Sequence, residues 1–202
     1  MFVQVIQGQV SDAGQAHAAL DRWMQELAPE ATGWLGTTAG VTADGRFLAL
    51  ARFESADAAR QNSESPAQDK WWHEFSSLLG GGATFQDTED VVVEMLGDLD
   101  SAGFVQVIQG RVSDPARARA LMADNSEEWA AFRPDLIGTV SAMYGDDTFT
   151  TAFYFTSEAE AREAEKKELP EQLKPQLDEL NSLDQVEPTF FDLTQPWLYS
   201  AR

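Results

Sequence analysis

Cysteine is absent from this 202-residue chain, which removes disulfides, thiolate nucleophiles and sulfur-ligated metal together. Histidine is nearly absent: His17 and His73 are the two, far apart, so only carboxylates remain for a metal ion and none is expected. Asp87, Glu89 and Asp90 cluster in sequence, but a solvated strand edge accounts for them. Bases are scarce, 14 Lys and Arg against 34 Asp and Glu, for a net charge of −20. The deficit is even, with 16 acids and 5 bases over residues 1–101 (−11) and 18 acids and 9 bases over the rest (−9). Such a coat repels phosphate backbones, so no nucleic-acid partner is expected. An acid-rich source proteome accounts for the same charge without functional meaning. No apolar run approaches the ~18 residues of a membrane span, so no membrane association is expected. No basic-then-apolar leader opens the chain, and a cytoplasmic protein is the expectation. A phosphate-binding loop is missing too: Gly80-Gly81-Gly82 lacks a following lysine and hydroxyl and reads as a flexible connection. No serine sits in a nucleophile elbow.

What is present is a repeat. Phe2-Val3-Gln4-Val5-Ile6-Gln7-Gly8 returns intact as Phe104-Val105-Gln106-Val107-Ile108-Gln109-Gly110. At a constant offset of 102, Val10-Ser11-Asp12 meets Val112-Ser113-Asp114, Gly36-Thr37 meets Gly138-Thr139, and Phe47 and Phe53 meet Phe149 and Phe155. Chance does not hold such a register, so the chain is one domain written twice, at 1–98 and 104–202 with a linker at 99–103. Each half is long enough for its own core.

Both halves read strand, helix, strand, strand, helix, strand. Phe2 to Val10 alternates as a half-buried strand does. Ser11 and Ser113 offer N-caps, with Asp12 and Asp114 in the first turn, for helices over 12–29 and 114–131. Trp34–Val41 and Arg46–Phe53 flank an Asp44-Gly45 hairpin signal, as Leu136–Tyr144 and Thr148–Phe155 flank Gly145-Asp146-Asp147. Ser55 and Ser157 cap the next helices, which Pro66 and Pro170 break, leaving later pieces over 67–79 and 171–181. Closing strands are expected near 84–96 and 187–193. The βαββαβ order is ferredoxin-like, α+β, with both helices on one face of an antiparallel sheet. A second copy packed sheet to sheet covers the bare face, giving an intramolecular barrel.

Pro29-Glu30-Ala31-Thr32-Gly33-Trp34-Leu35-Gly36, the strand Gly45 to Phe53 with Glu54-Ser55, and Ser65-Pro66 with the helix after it carry a resemblance. They resemble the dimeric α/β-barrel superfamily, most closely its antibiotic-biosynthesis-monooxygenase branch, which often reads "PGFLG", a "W-E-S"-like strand end and a helix broken at "SP". The resemblance implies a fused pseudo-dimer and a ligand cavity between sheet and helices. In cofactor-free, quinone-forming relatives an Asn, a Trp and a Tyr surround the third strand. The matching positions here are Ala49, Phe53 and Ala59, then Thr151, Phe155 and Ala161. Haem-degrading relatives place an Asn, a Trp and an axial His where this chain has Gln7, Asn62 and Trp71.

Alternation puts Gln4 and Ile6 on one face of the first strand, Val5 and Gln7 on the other. If helices cover the Val5 face, Gln7 and Gln109 reach the sheet–helix cavity, and Gln4 and Gln106 face the barrel interior. The bland alternative is that these amides satisfy buried neighbours. Trp71, Trp72 and His73 are consecutive on a helix and splay by ~100° each. They cannot share one face, so one Trp packs on the sheet and the other lines a rim. The alternatives are ligand stacking or plain packing, and for His73 a general base or a surface residue. His17 reads as solvent-facing. Arg52, between Ala51 and Phe53, needs a partner or water, and the second half has Tyr154 in its place. The candidate ligand-binding set is Gln7, Trp34, Arg52, Trp71, Trp72, His73 and Gln109, with no catalytic residue assigned, and the first half is expected to hold the better pocket.

The expectation is therefore a small-molecule binding protein of the dimeric α/β-barrel type with degenerate catalytic positions. The second reading is a cofactor-independent monooxygenase or isomerase acting on an apolar aromatic or polyketide-like substrate. A small apolar ligand is the expected partner, with no cofactor, and the chain is a monomeric pseudo-dimer or a weak homodimer.

Overall fold

A computed structural model describes residues 1–201. The first repeat runs β1 (Phe2–Val10), α1 (Ala13–Glu26), β2 (Trp34–Val41), β3 (Arg46–Phe53), α2 (Ala56–Ser63), α3 (Pro66–Ser76), β4 (Leu79–Thr88) and β5 (Val91–Met95). The second runs β6 (Phe104–Arg111), α4 (Pro115–Ala123), α5 (Ser126–Phe132), β7 (Leu136–Met143), β8 (Thr148–Phe155), α6 (Glu158–Glu165), α7 (Lys174–Leu183), β9 (Thr189–Leu193) and β10 (Trp197–Ser200). Two antiparallel five-stranded sheets result, ordered β10-β2-β3-β1-β4 and β5-β7-β8-β6-β9. The fold is α+β and ferredoxin-like in both copies. Among the described residues no helix is long and apolar enough to cross a membrane.

The last strand of each repeat completes the sheet built by the other. β5 joins β7 and β10 joins β2, so one compact unit comprises Met1–Val91 with the segment from Phe191 on, the other Val92–Phe190. The sequence repeats and the compact units thus divide the chain differently. Two glycines at equivalent positions make room for the exchange. A Cβ on Gly36 would stand 2.7 Å from the Tyr199 carbonyl oxygen, and one on Gly138 would stand 2.6 Å from that of Glu94.

In the first unit the sheet face under the helices carries Phe2, Ile6 and Val10 of β1 with Phe47, Ala49 and Phe53 of β3. Against it pack Ala16, Ala19, Leu20 and Trp23 of α1, spaced as one helical stripe, and Phe75 of α3. The opposite face carries Val3, Val5, Leu48 and Leu50, each 1% exposed or less. Both faces of β1 are apolar, so alternation alone does not say which one the helices cover. They cover the Ile6 face, which overturns the expected placement: Gln4 lies on the helix side and Gln7 on the other. The second unit repeats this, with Phe104 against Phe155 and Ala161 of α6, so Gln106 shares the helix side and Gln109 does not.

Local chemistry moves several boundaries. Asp12 and Asp114, not the preceding serines, are the N-caps, accepting from Gln15 N at 3.0 Å and Arg117 N at 2.9 Å. The helix expected over 114–131 breaks in two at Asn125, whose φ of 52° is left-handed. Gln176 of α7, 6% exposed, knots this break. Its amide donates to the carbonyls of Leu121 and Asp124 and accepts from Trp129 Nε1 at 2.9 Å and Asn125 Nδ2 at 3.0 Å. Gly80-Gly81-Gly82 is not a loop but part of β4. The pairing jumps from Gln7↔Thr84 to Gln9↔Gly80 there, and Gly81 and Gly82 take φ of 80° and 89°, a bulge that only glycine forms cheaply.

Candidate functional site

The helix-side layer of the first unit is built from rings over a floor of small residues. Ala39 of β2 pairs with Ala49 of β3, and Thr37 with Ala51. Above them Trp23 meets Trp34 edge-on at 5.1 Å and Trp71 at 6.4 Å. Trp71 stacks on Phe75 at 5.0 Å, and Phe75 reaches Phe47 at 5.3 Å. Each of the three inner indoles has its N–H satisfied: Trp23 by Gln68 Oε1 at 2.6 Å, Trp34 by Thr37 Oγ1 at 3.0 Å, Trp71 by the Ala19 carbonyl at 3.0 Å. Buried indoles are thereby held in fixed orientations.

Trp72 does not splay away from Trp71. Both rings reach Phe75, Trp72 at 5.8 Å, because side chains three and four residues apart on a helix are neighbours. Trp72 then continues outward, edge-on to the exposed Phe85 at 5.2 Å, and forms the rim of the cluster. Above Phe75 and Ala19 lies an open groove of about 270 Å³ between α1 and α3, flanked by Gln15, Ala18 and Leu78 and spanned by an exposed Arg22–Glu74 ion pair at 3.2 Å.

A polar cluster closes the β10 edge of this layer. Tyr199, on the helix side opposite Thr37, donates to Asp21 Oδ1 at 2.8 Å. His17 Nε2 stands 3.7 Å from the same oxygen, and the His17 ring lies flat on Trp197, 4.6 Å away and 2° from parallel. Burial, then the Asp21 hydrogen bond, pushes the Tyr199 phenol above the ordinary tyrosine range. His17 is therefore not simply solvent-facing. Its spacing to Asp21 (i, i+4) and the alternation Trp197-Leu198-Tyr199 were the available signals. They went unused because β10 is short and its partner strand lies in the other repeat.

The structure divides the candidate residues. Trp34, Trp71 and Trp72 come together with Trp23 and Phe75. His73 is exposed on α3 and forms no part of this cluster. Gln7 and Arg52 share the opposite sheet face, Arg52 opposite Val3 and Gly36, so they cannot build one pocket with Trp71. Gln109 donates to Thr150 Oγ1 at 2.9 Å within its own sheet, the bland role. At the positions of the monooxygenase trio, Ala49 and Phe53 are 3% and 4% exposed in the apolar layer, and Thr151 is spent on Ser141 at 3.1 Å.

No protein-family model matches the chain, and no curated protein sequence does. Solved structures do. A Lactobacillus acidophilus protein provisionally described as a monooxygenase superposes with a TM-score of 0.73 at 12% identity, over 98% of this chain and 95% of its own. A Fusobacterium nucleatum protein so described gives 0.77 at 8% identity, over 98% and 94%. An anthrone oxidase-like protein gives 0.65 at 10% identity, over 100% and 92%. The likeness is one of fold, and it runs along the whole chain.

Proposed function

We propose that the first unit is a binding module for a planar, apolar small molecule, held among Trp23, Trp34, Trp71, Trp72 and Phe75 above the Ala39–Ala49–Ala51 floor. The observation that carries this is the aromatic cluster over its floor of small residues, whose central ring, Phe75, also lines the open groove between α1 and α3. Tyr199, with Asp21 behind it, is the orienting hydroxyl at one end. Gln4, half-buried on the helix side between Ala51 and Asp87, makes no side-chain hydrogen bond among the described residues and offers an amide to a ligand.

Binding without oxygenation is favoured over a monooxygenase because Ala49, Phe53 and Ala59 cannot orient or deprotonate a phenol. The test is a titration with 2-naphthol followed by tryptophan fluorescence. Saturable quenching is expected in the wild-type protein and its loss in Trp71→Leu, a variant that keeps apolar bulk. Quenching that is linear, or equal in both proteins, would count against the site. Turnover of 2-naphthol under oxygen would favour the enzymatic reading instead.

A further inference from the structure

We propose a second site, on the other face of the first sheet, where Arg52 binds a singly charged organic carboxylate. The register sets Ser200, Gly36, Arg52, Val3 and Thr88 in one row across β10, β2, β3, β1 and β4. Arg52 is half-buried, its Nε is buried without a hydrogen-bond partner, and no carboxylate pairs with it among the described residues. This is unusual in a chain with 34 acids. The half-buried Arg133 of the second unit shows the ordinary solution, a fork onto Asp135 at 3.0 and 2.8 Å.

A half-buried guanidinium without a counter-charge costs stability unless an anion satisfies it. The fold nevertheless makes room for this one, since a Cβ on Gly36 would stand 2.5 Å from Arg52 Nη2. The next row inward, Leu50 and Val5, is sealed at 0% and 1% exposure, whereas Arg52, Ser200 and Thr88 stay partly exposed. The approach is thus along the outer row. A planar fork matches a carboxylate. The field of a protein at −20 penalises a dianion more than a monoanion, which selects a monocarboxylate over sulfate or phosphate.

The site is independent of the aromatic layer, and its test reads Arg52 directly. The Nε–H resonance of Arg52, assigned through its own backbone, is followed by NMR in the intact protein during titration with sodium benzoate. A saturable shift that sodium chloride at equal ionic strength does not produce, and that sulfate produces several-fold more weakly, is expected. Arg52→Lys should weaken benzoate binding about tenfold, as judged from backbone amide shifts at Gly36 and Val3. No saturable shift, the same shift with chloride, or sulfate binding at least as tightly as benzoate would overturn the proposal.

Discussion

Replacing Gly36 by alanine tests the strand exchange on which the first unit depends. The new Cβ would stand 2.5 Å from Arg52 Nη2 and 2.7 Å from the Tyr199 carbonyl oxygen. The first neighbour is the end of a flexible side chain and can swing aside. The second is backbone and cannot move without shifting β10. Overpacking of this kind costs ~1–3 kcal/mol when the structure absorbs it. If β10 peels away instead, Trp197, 8% exposed, returns to water and the Tyr199–Asp21 hydrogen bond is lost. Those terms are about 2–3 and about 1 kcal/mol, so local release caps the penalty near 4 kcal/mol. Urea unfolding followed by circular dichroism measures the loss, and amide exchange at Leu198 to Ser200 locates it. Gly138→Ala, where a Cβ would meet the Glu94 carbonyl oxygen at 2.6 Å, should loosen β5 and leave β10 protected. Gly36→Ala within ~0.5 kcal/mol of wild type, with unchanged exchange, would refute the steric reasoning.

Tyr199→Phe should cost about 1 kcal/mol through the lost Asp21 bond. Because the folded phenol titrates above its unfolded value of about 10, its contribution is complete below that pH and declines as pH rises beyond it. The alkaline absorbance titration of Tyr199→Phe should accordingly lack a late-ionising component that the wild type shows. Phe75→Ala, deleting a ring only 2% exposed at the centre of the cluster, should cost about 3–5 kcal/mol in urea unfolding. Gln176→Leu, which strands the Leu121 and Asp124 carbonyls and the Trp129 indole, should destabilise α4 and α5 by about 1–3 kcal/mol, read as faster amide exchange there. His73→Ala should leave 2-naphthol binding unchanged.

The hairpins were legible because their signals are local. An Asp-Gly turn between alternating strands set β2 and β3 at 34–41 and 46–53, and the serine caps at Ser55 and Ser157 are read from a few residues. The repeat made the architecture legible as well. What escaped depends on distant partners. Val91–Met95 reads as a continuation of β4 until its pairing with β7 is known, and Trp197–Ser200 reads as a tail until β2 receives it. Which face of β1 the helices cover was not written in its alternation, since Val3 and Val5 are as apolar as Phe2 and Ile6. That one ambiguity put Gln7 and Arg52 in the same imagined pocket as Trp71. The break at Asn125 depends on Gln176, fifty-one positions away, which no local pattern announces.

The most direct measurement is native mass spectrometry of the intact chain, as purified and then with 2-naphthol added in excess. One bound molecule per chain is expected, because among the described residues the layer of indole rings lies in the first unit, and it should be lost in Trp71→Leu. No bound mass, or two equivalent molecules per chain that survive Trp71→Leu, would contradict the proposed site.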